Sequence, residues 1–339
     1  MQSVSWTSFY RDRAILVTGG LGFIGSNLVH ALVGLGSRVT VVDALIETHG
    51  GHPFNLHPIE DRVRVVIADL RQREILEPLV AEAEVIFNLA GQVSHIASLE
   101  DPFADLHYNL TGHIALLEAC RRLNPTVRVV YAATRSEYGR ARRLPVDEDH
   151  PLQPLDPNGI HKMAAEAYHW LYHHLYGIPT VSLRLINTYG PRHQMKSPRG
   201  CFVHWLLRLA LEDRDVPVFG TGQQRRDLNY VDDVVEAFLR VGAATDVAGE
   251  VFNLGATEVL TVLEIAEQIV EVTGRGRVRL VPFPPQHRAI EVGDFQTDFR
   301  KIRERLGWIP RTDFRTGLRR TVEFYERYRD IYIEPFRAG

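Results

Sequence analysis

Three glycines and one aspartate carry the clearest chemistry in this 339-residue sequence. Gly19, Gly22 and Gly25 lie in ILVTGGLGFIGSNLV (15–29), after an apolar run and at the opening of an amphipathic stretch. A strand-to-helix bend there must turn tightly, let backbone approach a ligand and pack helix on strand, and each demand favours a residue without Cβ. The helix N-terminus offers free N–H groups and a positive dipole end, which suit a pyrophosphate. Phe23 and Ile24 belong to the same turn. The spacing is GxxGxxG, not GxGxxG. Asp43 closes the next β-rich run (VTVVD), where a carboxylate accepts from ribose hydroxyls and repels a 2′-phosphate. The ligand expected is therefore NAD rather than NADP. Two more strand ends point the same way: Asp69-Leu70, and Leu89-Ala90-Gly91 after Asn88.

The elements that must hold these groups alternate. Short apolar runs at Ala14–Thr18, Arg38–Val42, Val63–Ile67, Val85–Leu89 and Arg128–Ala132 are separated by amphipathic stretches such as Ser26–Leu35 and Gly112–Leu123. That rhythm predicts βαβ crossovers and a parallel sheet covered on both faces. A long helix is expected over Gly159–Tyr176 and a strand over Thr180–Leu185. In the second half, helices are expected at Phe202–Glu212, Val231–Gly242 and Val262–Thr273, and strands at Val216–Phe219, Val251–Leu254 and Val278–Val281. The polar Pro191–Gly200 and proline-rich Pro282–Arg288 read as loops. The fold class is α/β: a Rossmann doubly wound parallel sheet with a smaller C-terminal α/β substrate lobe. The NAD-binding domain is expected over 1–180, with returns from about 181–190 and 225–255. The substrate lobe takes most of 191–339, interleaved with it.

Composition narrows the classes. A 45% hydrophobic, 24% charged chain of net charge −3 is ordinary for a globular protein and has no basic field for nucleic acid. No apolar run approaches the roughly 20 residues of a membrane span, and the start, MQSVSWTSFYRDRA, lacks a signal peptide's apolar stretch. A cytoplasmic enzyme without a membrane partner is expected. Cys120 and Cys201 match neither a disulfide framework nor metal spacing, so no metal is expected. Cys120, in LLEAC, reads as core.

In order, VTGGLGFIGSNLV, VVD, ADL, NLAGQ, Asn109 with LLEA, Tyr138-Gly139, Lys162 with Glu166, LRLINTYGPR, GTGQQRRDLNYVDDVVEAF, VFNLG and LGWIP resemble the extended short-chain dehydrogenase/reductases, in their NAD-dependent epimerase/dehydratase branch. The resemblance implies a seven-stranded parallel sheet, tightly held NAD and a nucleoside-diphosphate sugar oxidised to a 4-keto intermediate. It also implies a homodimer paired through the helices matching Gly112–Leu123 and Gly159–Tyr176. Thr134 matches the hydroxyl that meets the reacting sugar oxygen, and Lys162 the lysine on the nicotinamide ribose. Asn187 and Arg226 match groups on the substrate diphosphate.

Three positions depart from the pattern. Asn158 stands where the family has its catalytic Tyr, and a carboxamide does not titrate near neutral pH. Asn158 is left with binding the sugar or placing a water, and His161 is the first substitute base, ahead of His95. Arg135 and Ser136 replace the acidic pair of the 4,6-dehydratases, so Arg135 is free to meet an anionic sugar group. Glu291 stands three residues before Asp294, where many relatives have Arg, and Arg288 is expected to supply the guanidinium instead. The activity expected is epimerisation at C4. A decarboxylase, dehydratase or ketoreductase on the same substrates, or a non-catalytic binding protein, is the alternative.

Overall fold

The computed structural model describes residues 6–47, 49–196 and 200–333. The first five residues of the start considered above, and residues 197–199 of the expected 191–200 loop, lie outside that range.

The chain begins with β1 (Ala14–Thr18), β2 (Arg38–Asp43), β3 (Val63–Ile67), β4 (Val85–Asn88), β5 (Arg128–Thr134) and β6 (Thr180–Leu185). It continues through β7 (Asn187–Tyr189), β8 (Asp215–Phe219), β9 (Arg225–Tyr230), β10 (Val251–Asn253), β11 (Val259–Thr261) and β12 (Arg277–Val281). Seven strands form one parallel sheet in the order β10-β6-β5-β4-β1-β2-β3. The order reverses direction between β1 and β4. Connections leaving those two strands diverge to opposite faces and open a crevice at the carboxyl edge. Registers fix what meets there: Thr18 sits beside Val42 on one side and Asn88 on the other. The glycine bend, Asp43 and the Leu89–Gly91 segment therefore leave the sheet together.

One core lies on each face. The larger packs Leu28, Val29 and Leu32 of the helix Phe23–Gly34 and the helix Val231–Ala243 against β1 and β4, and continues into the C-terminal part. The other places Leu76 and Leu79 of the helix Arg73–Glu82 and Leu116, Leu117 and Cys120 of the helix Gly112–Leu123 against Leu16, Ile86 and Val129. Cys120 is a core residue, as expected. A three-stranded sheet, β11-β9-β7, and the parallel pair β12-β8 complete the C-terminal part.

Several boundaries differ from expectation for local reasons. The long helix begins at Pro157, because Asp156 caps it by accepting the Gly159 N–H at 2.8 Å and proline is pre-shaped for the first helical position. β5 runs to Thr134 because Ala133 and Thr134 still pair with β6. Residues Pro285–Ala289 form a short helix inside the expected loop, with proline again in the first turn. Neither β7 nor β9 was expected, since polar Asn187 and RRD hide their strand character.

Candidate active site

A cavity of about 770 Å³ runs along the carboxyl edge of the large sheet, from the glycine bend to the C-terminal part. At one end the bend is shaped for a close ligand. Gly19 has φ +68°, and a Cβ there would stand 2.9 Å from the backbone of Leu89 and Ala90. A Cβ on Gly25 would press into the Gly19 carbonyl, well inside van der Waals contact, and one on Gly22 would stand 3.1 Å from the same oxygen. Gly22 precedes the helix Phe23–Gly34 with no side chain capping it, so the first-turn N–H groups are left for an anion. Phe23 and Ile24 line the cavity at that turn. Asp43 accepts the N–H of Leu21 and of Leu45, each at 3.0 Å, and burial raises its pKa. Asp69 and Leu70 lie on the adjoining wall. Asp69 is gripped by Arg71 at 2.9 and 2.8 Å, which holds its carboxyl below the usual range despite partial burial. These features fit a dinucleotide.

Leu89, Ala90 and Gly91 line the middle of the cavity, opposite the helix Pro157–Tyr176. Gly91 has φ +152°, and a Cβ there would meet Asn109 at 2.6 Å and the Lys162 amine at 3.1 Å. Lys162 is buried, 3.4 Å from the Ala132 carbonyl and 5.5 Å from the Tyr131 ring centre. Desolvation lowers its pKa to about 8, against the pull of Glu137 and Asp105. Thr134 ends β5 with its hydroxyl 3.1 Å from that of Ser136. Glu137 locks the bend behind it by accepting the Thr134 N–H at 3.2 Å. Burial and neighbouring Glu166 push the Glu137 carboxyl well above its ordinary range. Glu166 itself is tied to Arg184 at 2.5 and 3.0 Å.

Asn158 lines the cavity beside Lys162, whereas His161 is turned away from it. The Asn158 nitrogen donates to the Gln92 carbonyl at 2.9 Å and to Asp105 at 3.2 Å. Both partners are acceptors, so the nitrogen must face them, and only the carboxamide oxygen remains to offer a ligand. His161 does not line the cavity. Its Nδ1 is 2.7 Å from the buried Asp105 carboxylate, whose other oxygen also accepts from Gln92 at 2.6 Å and Asn109 at 3.0 Å. The helix face that carries Asn158 and Lys162 is broad enough for His161 to turn toward Asp105. A general-base role for His161 therefore lacks access to the cavity. His95 does line it, with Nδ1 2.8 Å from Asp156 and Nε2 3.4 Å from the Ser136 hydroxyl.

Beyond β5 the cavity becomes cationic. Arg135 donates to the Asn187 side-chain oxygen at 3.1 and 2.9 Å and lies 5.0 Å from the Phe295 ring centre. Burial, with the charge of Arg226, lowers its pKa to about 10. Two guanidiniums bordering one cavity favour an anionic ligand. Arg226 is held by Glu291 at 2.5 Å and by the carbonyls of Arg225 and Gly293. Arg288 is exposed on the short helix and does not border the cavity, so the expected replacement of the missing arginine fails. Glu291 instead occupies Arg226. Phe219, Phe283 and His287 close this end, with Phe219 5.4 Å from each of the other two rings.

Sequence reasoning missed Asp105, Glu137 and Asp156: Asp105 and the histidine partner of Asp156 join distant segments, whereas Glu137 pairs with the Thr134 N–H only three residues away. Asp156 could be read only as a helix cap, from the DPNG that opens the long helix.

Comparisons with known proteins agree with this architecture. The profile of the NAD dependent epimerase/dehydratase family matches residues 15–255. The chain is 35% identical over 317 residues to a UDP-glucose 4-epimerase of Mycolicibacterium smegmatis, covering 91% of this chain and 97% of that protein. It is 33% identical over 336 residues to a dTDP-glucose 4,6-dehydratase of Streptomyces niveus, covering 96% of each. The structure of Thermus thermophilus UDP-glucose 4-epimerase in complex with NAD superposes with a TM-score of 0.81 at 31% identity, over 92% of this chain and 99% of that one. Among the described residues no helix is long and apolar enough to cross a membrane.

Proposed function

The chain belongs to the NAD dependent epimerase/dehydratase family, and on that premise we propose that it is an NAD-dependent epimerase of a nucleoside-diphosphate sugar, acting at C4 through a 4-keto intermediate. One observation carries the reading. A single cavity joins a glycine bend fitted to a dinucleotide, a buried lysine beside a threonine hydroxyl, and a pocket bordered by two arginines. Bound NAD supplies a reversible hydride acceptor there.

The protein's part is to bind, orient and handle the proton. Gly19, Gly22 and Gly25 receive the pyrophosphate, with Asp43 and Asp69 flanking the adenosine. Lys162 meets the nicotinamide ribose from a desolvated position, where its charge favours the deprotonated form of a nearby sugar oxygen. Thr134 sets its hydroxyl against that oxygen. Arg135, Asn187 and Arg226 face the diphosphate, whose negative charge can draw Arg226 away from Glu291. Epimerisation needs the keto sugar to take hydride back on its other face, so the sugar must be able to turn while the nucleotide stays anchored.

Elimination of water is disfavoured by the side chains that follow Thr134. Arg135 is engaged by Asn187, and Ser136 is a neutral hydroxyl, so neither supplies the acid of a dehydratase. The reading includes a cytoplasmic setting and a homodimer. Exposed Ile160, Trp170, Leu175 and Tyr176 on the long helix support a covered apolar face.

The test is to identify small molecules released from the purified protein by mass spectrometry, then to follow UDP-glucose, UDP-N-acetylglucosamine and dTDP-glucose by chromatography. Released NAD and formation of a C4 epimer support the proposal. Loss of water or CO2, net consumption of reduced cofactor, or no turnover with NAD bound supports a rival.

A further inference from the structure

Sugar oxidation requires a group that takes a proton and gives it back, and Asn158 cannot do so. We propose that His95 is the acid–base catalyst of this site, that Asp156 positions its ring, and that the Ser136 and Thr134 hydroxyls connect it to the reacting sugar oxygen. The inference rests on the epimerase reading and supplies the group that reading lacks.

His95 opens the helix His95–Glu100, which Ser94 caps by accepting the Ala97 N–H at 3.1 Å. Its Nδ1 lies 2.8 Å from one oxygen of Asp156, and the other oxygen accepts the Gly159 N–H at 2.8 Å. The carboxylate is thus anchored to the start of the long helix. A nitrogen facing a carboxylate carries the proton, which leaves the Nε2 lone pair on the cavity side. From Nε2, Ser136 Oγ is at 3.4 Å, and Thr134 Oγ1 lies 3.1 Å beyond it. All four side chains border the cavity. Burial would lift the Asp156 carboxyl, but its hydrogen bonds to His95 and to two backbone N–H groups hold it below its ordinary range.

Other histidines around the cavity are committed elsewhere. His193 is stacked on His204 at 4.1 Å, and burial lowers its pKa to about 4. His49 packs on Tyr108 at the adenosine end, where the charge of His107 also acts on Asp69. His287 lies against Phe219 at the far end. Among the titratable groups on elements packed against His95–Glu100, Asp105 is held by Gln92, Asn109, Asn158 and His161, and Lys162 turns to Ala132. In the turn after β5, Arg135 goes to Asn187 and Glu137 to the Thr134 N–H. Asp156 is the charged group that meets the ring.

In the first half-reaction the sugar hydroxyl gives its proton to His95 Nε2, directly or along Ser136 and Thr134. The C–H bond on the same carbon breaks, and its electron pair leaves as hydride to bound NAD. A ketone and an imidazolium result. In the second half the ketone carbon regains hydride on its opposite face, and the imidazolium protonates the new alkoxide.

The test compares His95→Gln, His95→Ala and Asp156→Asn with wild type as NAD-loaded proteins, using the same three sugar nucleotides. His95→Gln should lower kcat by about 10²–10⁴-fold, while calorimetric affinity for the sugar nucleotide changes by less than about threefold. Free imidazole should restore part of the rate in His95→Ala. Asparagine caps a helix as well as aspartate does, so Asp156→Asn should keep the fold. It should lower kcat by about tenfold or more while the sugar-nucleotide affinity stays within about threefold, because the ring loses the carboxylate that orients it. A His95→Gln enzyme within about threefold of wild-type kcat overturns the proposal, since a general acid–base contributes far more. So does an Asp156→Asn enzyme that keeps the wild-type kcat. Wild type that turns over none of the three probes while holding NAD overturns the epimerase reading and this proposal with it. Active wild type with active His95→Gln overturns this proposal alone.

Discussion

Lys162→Met should stabilise the cofactor-free protein at neutral pH and lose that advantage in alkali. Lys162 is buried, and desolvation lowers its amine from 10.5 to about 8, with Glu137 and Asp105 only partly opposing the shift. At about 1.4 kcal/mol per pH unit, the charged form carries a penalty of about 3 kcal/mol. The folded state binds this proton less tightly than the unfolded chain. Between the two pKa values the unfolded chain holds a proton that the native state lacks, so stability rises with pH there. Below about pH 8 both states are protonated and the penalty is present in full. Methionine keeps an unbranched apolar stem without the charge and gives up the hydrogen bond to Ala132, a loss of about 1 kcal/mol. The variant should be about 2 kcal/mol more stable than wild type at neutral pH and about 1 kcal/mol less stable by about pH 10.5, a swing of about 3 kcal/mol. Urea unfolding of both proteins, stripped of NAD, at several values from about pH 7 to about pH 10.5 measures it. A stability difference that stays flat across that range refutes the argument that burial, rather than pairing, governs this amine.

Gly25→Ala should abolish retention of NAD through purification, read by absorbance ratio and mass spectrometry, because its Cβ would displace the Gly19 carbonyl from the bend. Retention at the wild-type level would show that the bend does not hold the cofactor. Arg226→Met should raise the KM for the sugar nucleotide by about 10–100-fold, the worth of about 1.5–3 kcal/mol for a charge-assisted contact. An unchanged KM would remove Arg226 from the diphosphate site. His169 is buried and its pKa is lowered to about 4 from 6.5. The unfolded chain takes up a proton that the native state refuses in that interval, so its contribution to stability is lost as pH falls from 6.5 to about 4. His169→Gln should flatten acid unfolding over that interval, measured by circular dichroism. An equally steep profile would point to other buried groups.

The parts of this structure that local chemistry dictates were legible in the sequence. The glycine bend, Asp43 at the end of β2 and the apolar strands each declare themselves within a few residues, and parallel pairing follows from their alternation with helices. Thr134 and Lys162 were placed only by resemblance, since a threonine at a strand end and a lysine on a helix are common. The pairing of His95 with Asp156 joins residues 61 apart, and nothing in DPNG separates an aspartate that caps a helix from one that also holds an imidazole. Asp105 gathers Gln92, Asn109, Asn158 and His161 from three segments, so the roles of Asn158 and His161 could not be read from their spacing to Lys162. Arg288 failed for a geometric reason: spacing along the chain gave the residue, but a short helix points it to solvent.

Incubation of the NAD-loaded enzyme with UDP-glucose, UDP-N-acetylglucosamine and dTDP-glucose in D2O, followed by proton NMR of the sugar, tests the central claim most directly. Reversible hydride removal and return on a retained cofactor predicts interconversion of C4 epimers, with the C4 position still carrying its original hydrogen and no reduced cofactor accumulating. A C4 epimer carrying solvent deuterium at that carbon, or a 6-deoxy-4-keto product in its place, contradicts it.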